Sequence, residues 1–158
     1  AMALDTVEAA AQVARVIVVT ARGEPFERLA EIVGDPGRGL NAAIGAGLAH
    51  ATGNTAVLLG DVPSVRPAEL AAALEAALRH PRAIVADADG TGTVLATATV
   101  GTAHRLAFGS GSRAAHVANG YIELDGDWPG LRRDIDTPEQ LEGAANLGAH
   151  TRARRQEN

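Results

Sequence analysis

Short, uninterrupted runs of β-branched residues alternate along this chain with longer alanine- and leucine-rich stretches, and that alternation restricts the fold more than any other feature. Arg15-Val16-Ile17-Val18-Val19-Thr20 and Ala56-Val57-Leu58-Leu59 are apolar on consecutive positions, as expected of strands covered on both faces. Ala83-Ile84-Val85-Ala86 and Val94 to Val100, the latter with interleaved threonines, extend the series, and Glu31-Ile32-Val33 and Tyr121 to Leu124 add two short strands. Leu4 to Ala14, Pro25 to Ala30, Leu40 to about Ala51, Pro67 to Arg79 and Gly111 to Ala118 are the expected helices between them. A last helix opens at Thr137-Pro138-Glu139-Gln140, with Thr137 as cap, Pro138 at the first position and Gln140 reaching back. Strands separated by helices imply parallel pairing through right-handed crossovers. The expected fold is therefore α/β, a three-layer αβα sandwich around a doubly wound, mostly parallel sheet, with ligands at the carboxyl ends of the strands.

At 158 residues one domain is expected, over 1–148, with 149–158 as a frayed tail because Thr151 to Asn158 has no apolar period. Two Phe, one Trp and one Tyr leave the core to Ala, Val, Leu and Ile. The absence of cysteine excludes disulfides, thiolate zinc sites and cysteine nucleophiles. A net charge of −5 argues against a general nucleic-acid binder, which needs a basic face. No apolar run approaches the roughly 20 residues of a membrane span, and the start lacks the regions of a secretory signal, so a cytoplasmic protein without a membrane partner is expected. Oligomeric state leaves no signature in an alternating pattern.

Several segments have the composition of ligand contacts. Asp61 follows directly on an apolar strand in Leu59-Gly60-Asp61-Val62-Pro63, where Gly60 permits close approach to the backbone and Pro63 stiffens the exit. An isolated aspartate there more often caps a turn, but a second acidic segment, Arg132-Arg133-Asp134-Ile135-Asp136-Thr137-Pro138, stands before a capped helix. Mg²⁺ takes one or two protein carboxylates with phosphate oxygens and waters; Asp61 and Asp134 are the candidates, with Asp136 as support to the helix start. Gly39-Leu40-Asn41 begins a helix after a glycine-rich loop, so its N–H groups and the Asn41 amide suit a base or phosphate. Gly90-Thr91-Gly92-Thr93 and Gly109-Ser110-Gly111-Ser112 offer N–H and hydroxyl donors to an anion, although such segments are commonly plain turns. The dinucleotide-type spacing of Gly109, Gly111 and Ala114 lacks a clean strand before it. The five histidines form no metal spacing and are expected to be solvated or packed; His116 and Arg113, a turn around Ser112, could approach a bound acid.

Together, Gly60-Asp61-Val62-Pro63, Gly39-Leu40-Asn41, Gly90-Thr91-Gly92-Thr93, Phe108-Gly109-Ser110-Gly111-Ser112 and Trp128-Pro129-Gly130-Leu131-Arg132-Arg133-Asp134-Ile135-Asp136-Thr137-Pro138 resemble, in one order, the 2-phospho-L-lactate or phosphoenolpyruvate guanylyltransferases of coenzyme F420 biosynthesis. The resemblance spans about Val16 to Gly148 and implies a Rossmann-like nucleotidyltransferase fold related to the molybdopterin guanylyltransferases. It implies transfer of GMP from GTP to a phosphorylated three-carbon acid with release of pyrophosphate. It places Mg²⁺ on Asp61 and Asp134, the acid on Thr93, Gly109 and Ser112, and the guanine nucleotide near Gly39, Leu40, Asn41 and Gly60. The family begins with a strand and a basic loop for the triphosphate. This chain opens on the helix that follows and contains no lysine, so an N-terminally incomplete domain is expected. The alternatives are a nucleotidyltransferase for a sugar phosphate or molybdopterin, which would share Asp61, and a non-catalytic nucleotide-binding domain.

Overall fold

A computed structural model describes residues 1–135, 139–140 and 147–156. The last expected helix start, with Asp136, Thr137 and Pro138, lies outside them. Helix α1 (Met2–Ala11) leads into β1 (Ile17–Thr20), which pairs in parallel with β2 (Glu31–Gly34) from Ile17↔Glu31 to Thr20↔Gly34. The expected helix over Pro25 to Ala30 is instead a run of turns, with the N–H of Phe26 donating to Gly23 C=O at 2.8 Å and that of Leu29 to Phe26 C=O at 2.8 Å. Six residues are too few to repay helix nucleation without a packed face.

After α2 (Leu40–Leu48) comes a second sheet of β3 (Thr55–Leu58), β4 (Arg82–Ala86), β5 (Thr93–Ala98) and β6 (Ile122–Glu123) in the order β3-β5-β4-β6. Strands β3, β4 and β6 run one way, whereas β5 is antiparallel to both of its neighbours. Parallel pairing therefore fails at β5. The six residues between β4 and β5 cannot make a crossover, which needs a dozen or more, and they close a hairpin. Asp87 organises that turn: its carboxylate accepts from the N–H groups of Thr91 (3.0 Å) and Gly92 (2.8 Å).

The period-two alternation of strands sends neighbouring residues into two cores. Val85 and Leu95 pack with Leu70, Ala73 and Ala77 of α3 (Pro67–Ala77), whereas Ile84 and Ala96 pack with Phe108 and Tyr121 beside α4 (Ser112–Ala118). Apolar material thus covers both faces of the sheet, as the continuous apolar runs require, and the α/β layered fold is as expected.

Two helices escaped the sequence pattern, α5 (Pro129–Arg132) and α6 (Ala149–Gln156). The latter corrects the expected frayed tail. Its first turn is capped from the other end of the chain by Asp5, whose carboxylate accepts from the backbone N–H groups of His150 (3.0 Å) and Thr151 (2.8 Å) and from the Thr151 hydroxyl. A cap 146 residues away leaves no local trace.

Strands β1 and β3 do not pair. All four residues of each line one open cavity of about 970 Å³, walled also by α1, α2 and α3. Its walls are largely apolar, including Val18, Val57, Leu74 and Leu95. No helix among the described residues is long and apolar enough to cross a membrane.

Candidate active site

Strand pairing sets the site at the carboxyl ends of β3 and β4, where β5 begins. The Leu59 N–H donates to Val94 C=O at 3.1 Å, so Gly60 and Asp61 leave the sheet beside Thr93. Gly60 is exposed; Asp61 is half-buried, with its Oδ1 shielded from solvent. The next four residues, Val62 to Val65, are buried, which fixes the turn that aims Asp61.

Asp134 comes to the same place. The N–H of Ile135 donates to the carbonyl of Asp61 at 3.0 Å, so the peptide joining Asp134 to Ile135 lies directly against Asp61. Leu131 and Ile135, 0% and 4% exposed, anchor the segment on either side of the half-buried Asp134. Glu69 caps α5 by accepting from the N–H groups of Gly130 (3.3 Å) and Leu131 (3.1 Å). The Arg132 guanidinium donates to the carbonyls of Ala86 and Leu124, both at 2.9 Å, and of Gly126 at 3.0 Å, and it packs 5.9 Å from the Trp128 ring centre. Its carbonyl in turn accepts from Ala88 N–H at 2.8 Å. Arg132 thereby ties the Asp134 segment to the end of β4.

The segments assigned to the acid also meet. Gly109 (φ 137°) and Gly111 (φ 68°) take backbone conformations that L residues rarely adopt, and they turn the chain into α4. Gly109 is exposed, whereas Thr93 and Ser112 are 2% and 3% exposed. Thr93 Oγ1 lies 2.9 Å from His116 Nδ1, and Ala107 N–H donates to His116 Nε2 at 2.9 Å. Burial holds the His116 imidazole below its ordinary pKa. His116 is thus packed, as the sequence suggests, but it is packed into the candidate site. Its signal in sequence was its position one turn after Ser112. Arg113 is paired with Glu123, its Nε 2.8 Å from Glu123 Oε2, an ion pair that raises the guanidinium pKa. Its backbone N–H donates to Thr91 C=O at 3.2 Å, which ties α4 to the Gly90–Thr93 segment.

The nucleotide candidates sit across from these. Gly39, with φ 90°, precedes α2, and Leu40 and Asn41 are exposed. Asn41 Nδ2 donates to Phe108 C=O at 3.3 Å, so the start of α2 reaches the residue before Gly109. Hydrogen bonds link Asp61 to the Asp134–Ile135 peptide and Thr93 to His116 and Ala107, and the Leu59–Val94 and Asn41–Phe108 bonds connect the ends of β3 and α2 to them. Gly60 stands beside Asp61, and among the described residues no hydrogen bond joins it to Gly39, Leu40 or Asn41.

Among the described residues, one set of three has the spacing of a metal site: Asp5, Glu8 and His150, whose ligand atoms lie within 4.8 Å of one another. Its oxygens are already in use, with Asp5 capping α6 and Glu8 Oε1 2.8 Å from His150 Nε2. The cluster joins two helices.

Comparison with known proteins places the chain in a family. The family model described as the MobA-like NTP transferase domain matches residues 1–134. A phosphoenolpyruvate guanylyltransferase of Geodermatophilus obscurus is 50% identical over 165 residues, covering 97% of this chain and 76% of that protein. Its counterpart from Salinispora arenicola is 48% identical over 94% of this chain and 74% of its own length. That from Mycobacterium leprae is 43% identical over 94% and 75%. This chain belongs to the MobA-like NTP transferase family of nucleotidyltransferases and, within it, to the phosphoenolpyruvate guanylyltransferases.

Proposed function

We propose that this protein transfers GMP from GTP to phosphoenolpyruvate, with 2-phospho-L-lactate as the other candidate acceptor, releases pyrophosphate, and serves coenzyme F420 biosynthesis. The observation that carries the reading is the hydrogen bond between Ile135 N–H and Asp61 C=O, which brings two acidic positions remote in sequence to one strand end. The names of the relatives support the acceptor.

No protein nucleophile is required. An oxygen of the acceptor's phosphate forms a bond to the α-phosphorus of GTP as the bond to the β-phosphate bridging oxygen breaks, and pyrophosphate leaves with that electron pair. The chain's task is to align the reactants and offset their negative charge. The N–H groups at the start of α2 and the Asn41 amide suit the nucleotide, and Gly109 and Ser112 offer donors to the acid's carboxylate or phosphate. Asp61 and Asp134, hard oxygen donors held by adjoining backbone, fit a Mg²⁺ ion. When bound, Mg²⁺ supplies charge neutralisation at the reacting phosphates.

The cavity between β1 and β3 supports a second part of this reading. One further strand, supplied from outside these 158 residues, would fill it and join the two sheets, completing the domain. Thr6 Oγ1 donates to Gly60 C=O at 3.2 Å, so α1 starts beside the carboxyl end of β3, where a strand parallel to β3 would hand over to it. Extending the chain before Ala1 by five apolar, β-branched residues is expected to slow amide exchange along β1 and β3; unchanged exchange would rule the insertion out.

The activity is tested by following pyrophosphate release from GTP and Mg²⁺ with phosphoenolpyruvate, 2-phospho-L-lactate and a sugar phosphate in parallel, with ATP as the nucleotide control. Release with an acid and GTP alone is the expected result. Silence with every acid, or release with the sugar phosphate instead, would overturn the proposal.

A further inference from the structure

We propose that His116 is a positioning residue for the acid: one buried ring sets the relative placement of Thr93, the Ala107–Gly109 segment and Ser112. The inference rests on the reading above of where the acid binds.

The hydrogen-bond directions follow from the groups involved. A backbone N–H can only donate, so the Ala107 N–H at 2.9 Å makes His116 Nε2 an acceptor that carries no proton. In the neutral ring the proton then resides on Nδ1, which donates to Thr93 Oγ1 at 2.9 Å. Thr93, having accepted that bond, keeps its own hydroxyl proton for another acceptor. The backbone thus selects the tautomer, and the tautomer selects which way Thr93 can donate. Protonation would set an N–H on Nε2 against the N–H of Ala107, and burial, which lowers the imidazole pKa, opposes it.

Packing fixes the ring as firmly as the hydrogen bonds do. His116 is 0% exposed and lies edge-on between Phe108, at 4.8 Å and 72°, and Tyr121, at 5.1 Å and 69°. Phe108 directly precedes Gly109, whose exposed backbone is a proposed acid contact, and Ser112 stands one turn earlier on the helix that carries His116. Three candidate contacts from β5, a loop and α4 therefore share one rigid reference. Removing the ring frees their spacing directly, whereas the Gly39–Asn41 segment and the Asp61–Ile135 bond are joined to it at one remove, through the Asn41–Phe108 and Leu59–Val94 bonds.

The test compares wild type with His116→Phe, which loses both hydrogen bonds, and His116→Gln, whose amide oxygen can still accept from Ala107. KM for GTP and for phosphoenolpyruvate are measured separately. Phosphoenolpyruvate is also titrated into ¹⁵N-labelled protein while the Ala107 and Gly109 amides and the His116 ring nitrogens are observed. His116→Phe is expected to raise KM for the acid at least tenfold with KM for GTP within twofold, and His116→Gln to recover most of the loss. A proton on Nε2 in wild type, an unchanged acid KM in His116→Phe, or an equal rise in both KM values would overturn the inference. If wild type transfers GMP to no acid, the functional reading fails on its own. Ring-nitrogen shifts showing the Nδ1–H form, together with weaker phosphoenolpyruvate binding in His116→Phe, would still uphold the positioning role, and their absence would end it.

Discussion

The two sheets of this protein share a rim yet differ in how they are packed. Every residue of β5 and four of the five in β4 are buried, and α3 contributes Leu70, Ala73 and Ala77 to the same core. In the β1–β2 half no strand residue is buried and α2 buries none; β1 and α2 line the large cavity, as does β3, which is likewise unburied. The segment proposed for the acid stands on the dense half, and Gly39 to Asn41, proposed for the nucleotide, on the open one. In that reading the donors to the acid are held in place before any ligand arrives, whereas the shape of the nucleotide side depends on what fills the space next to it.

The sharpest way to break this contrast is to delete the same atoms from both halves. Ile84→Ala, at a fully buried position away from the cavity, is expected to cost about 2–5 kcal/mol, read from urea unfolding. Ile17→Ala, on the cavity wall, is expected to cost about 1 kcal/mol, since a half-covered side chain contributes a fraction of full burial. Equal losses would mean that the cavity is closed in solution.

At the seam between the halves, Asp61→Asn is expected to lower transfer by about a hundredfold or more with the unfolding midpoint nearly unchanged. A variant that unfolds readily would instead give Asp61 a structural duty. Asp5→Ala removes the cap of α6 and is expected to cost about 1–2 kcal/mol, seen as earlier proteolysis near residue 150 with GTP binding intact.

The dense half also carries a pH dependence. Burial first, then the positive charge of Arg82, lower the His104 pKa to about 4. Its ring bridges Thr55 Oγ1 and the Tyr121 hydroxyl, each at 2.9 Å. The folded state holds this ring neutral, so its contribution is complete above the unfolded pKa near 6.5 and is lost as pH falls from there towards 4. Unfolding midpoints between pH 7 and 4.5 should decline in wild type and decline less in His104→Gln.

Much of the dense half was legible in sequence, because a strand covered on both faces has to be apolar at consecutive positions, and Ala83 to Ala86 and Val94 to Ala96 were. Their mutual direction was legible only through the short span between them, which forbids a crossover. The candidate site drew notice in sequence where chemistry is concentrated in a few adjacent residues, as at Gly60-Asp61 and at Arg132 to Asp134. It was hidden where a role depends on a partner far along the chain. Nothing near His116 announces Ala107 and Thr93 on either side of its ring, and nothing near Ala149 announces Asp5. The run from Pro25 to Ala30 misled because its residues favour a helix while its length does not.

The bond from Ile135 to Asp61 also bears on synthesis. Residue 61 leaves the ribosome long before residue 135, so the seat proposed for the cation does not exist while the chain is still growing, whatever has already condensed behind it. Contacts spanning so many residues form late and slow the final approach to the native state. A nascent chain on the way there would carry the nucleotide-facing helix without the means to spend GTP.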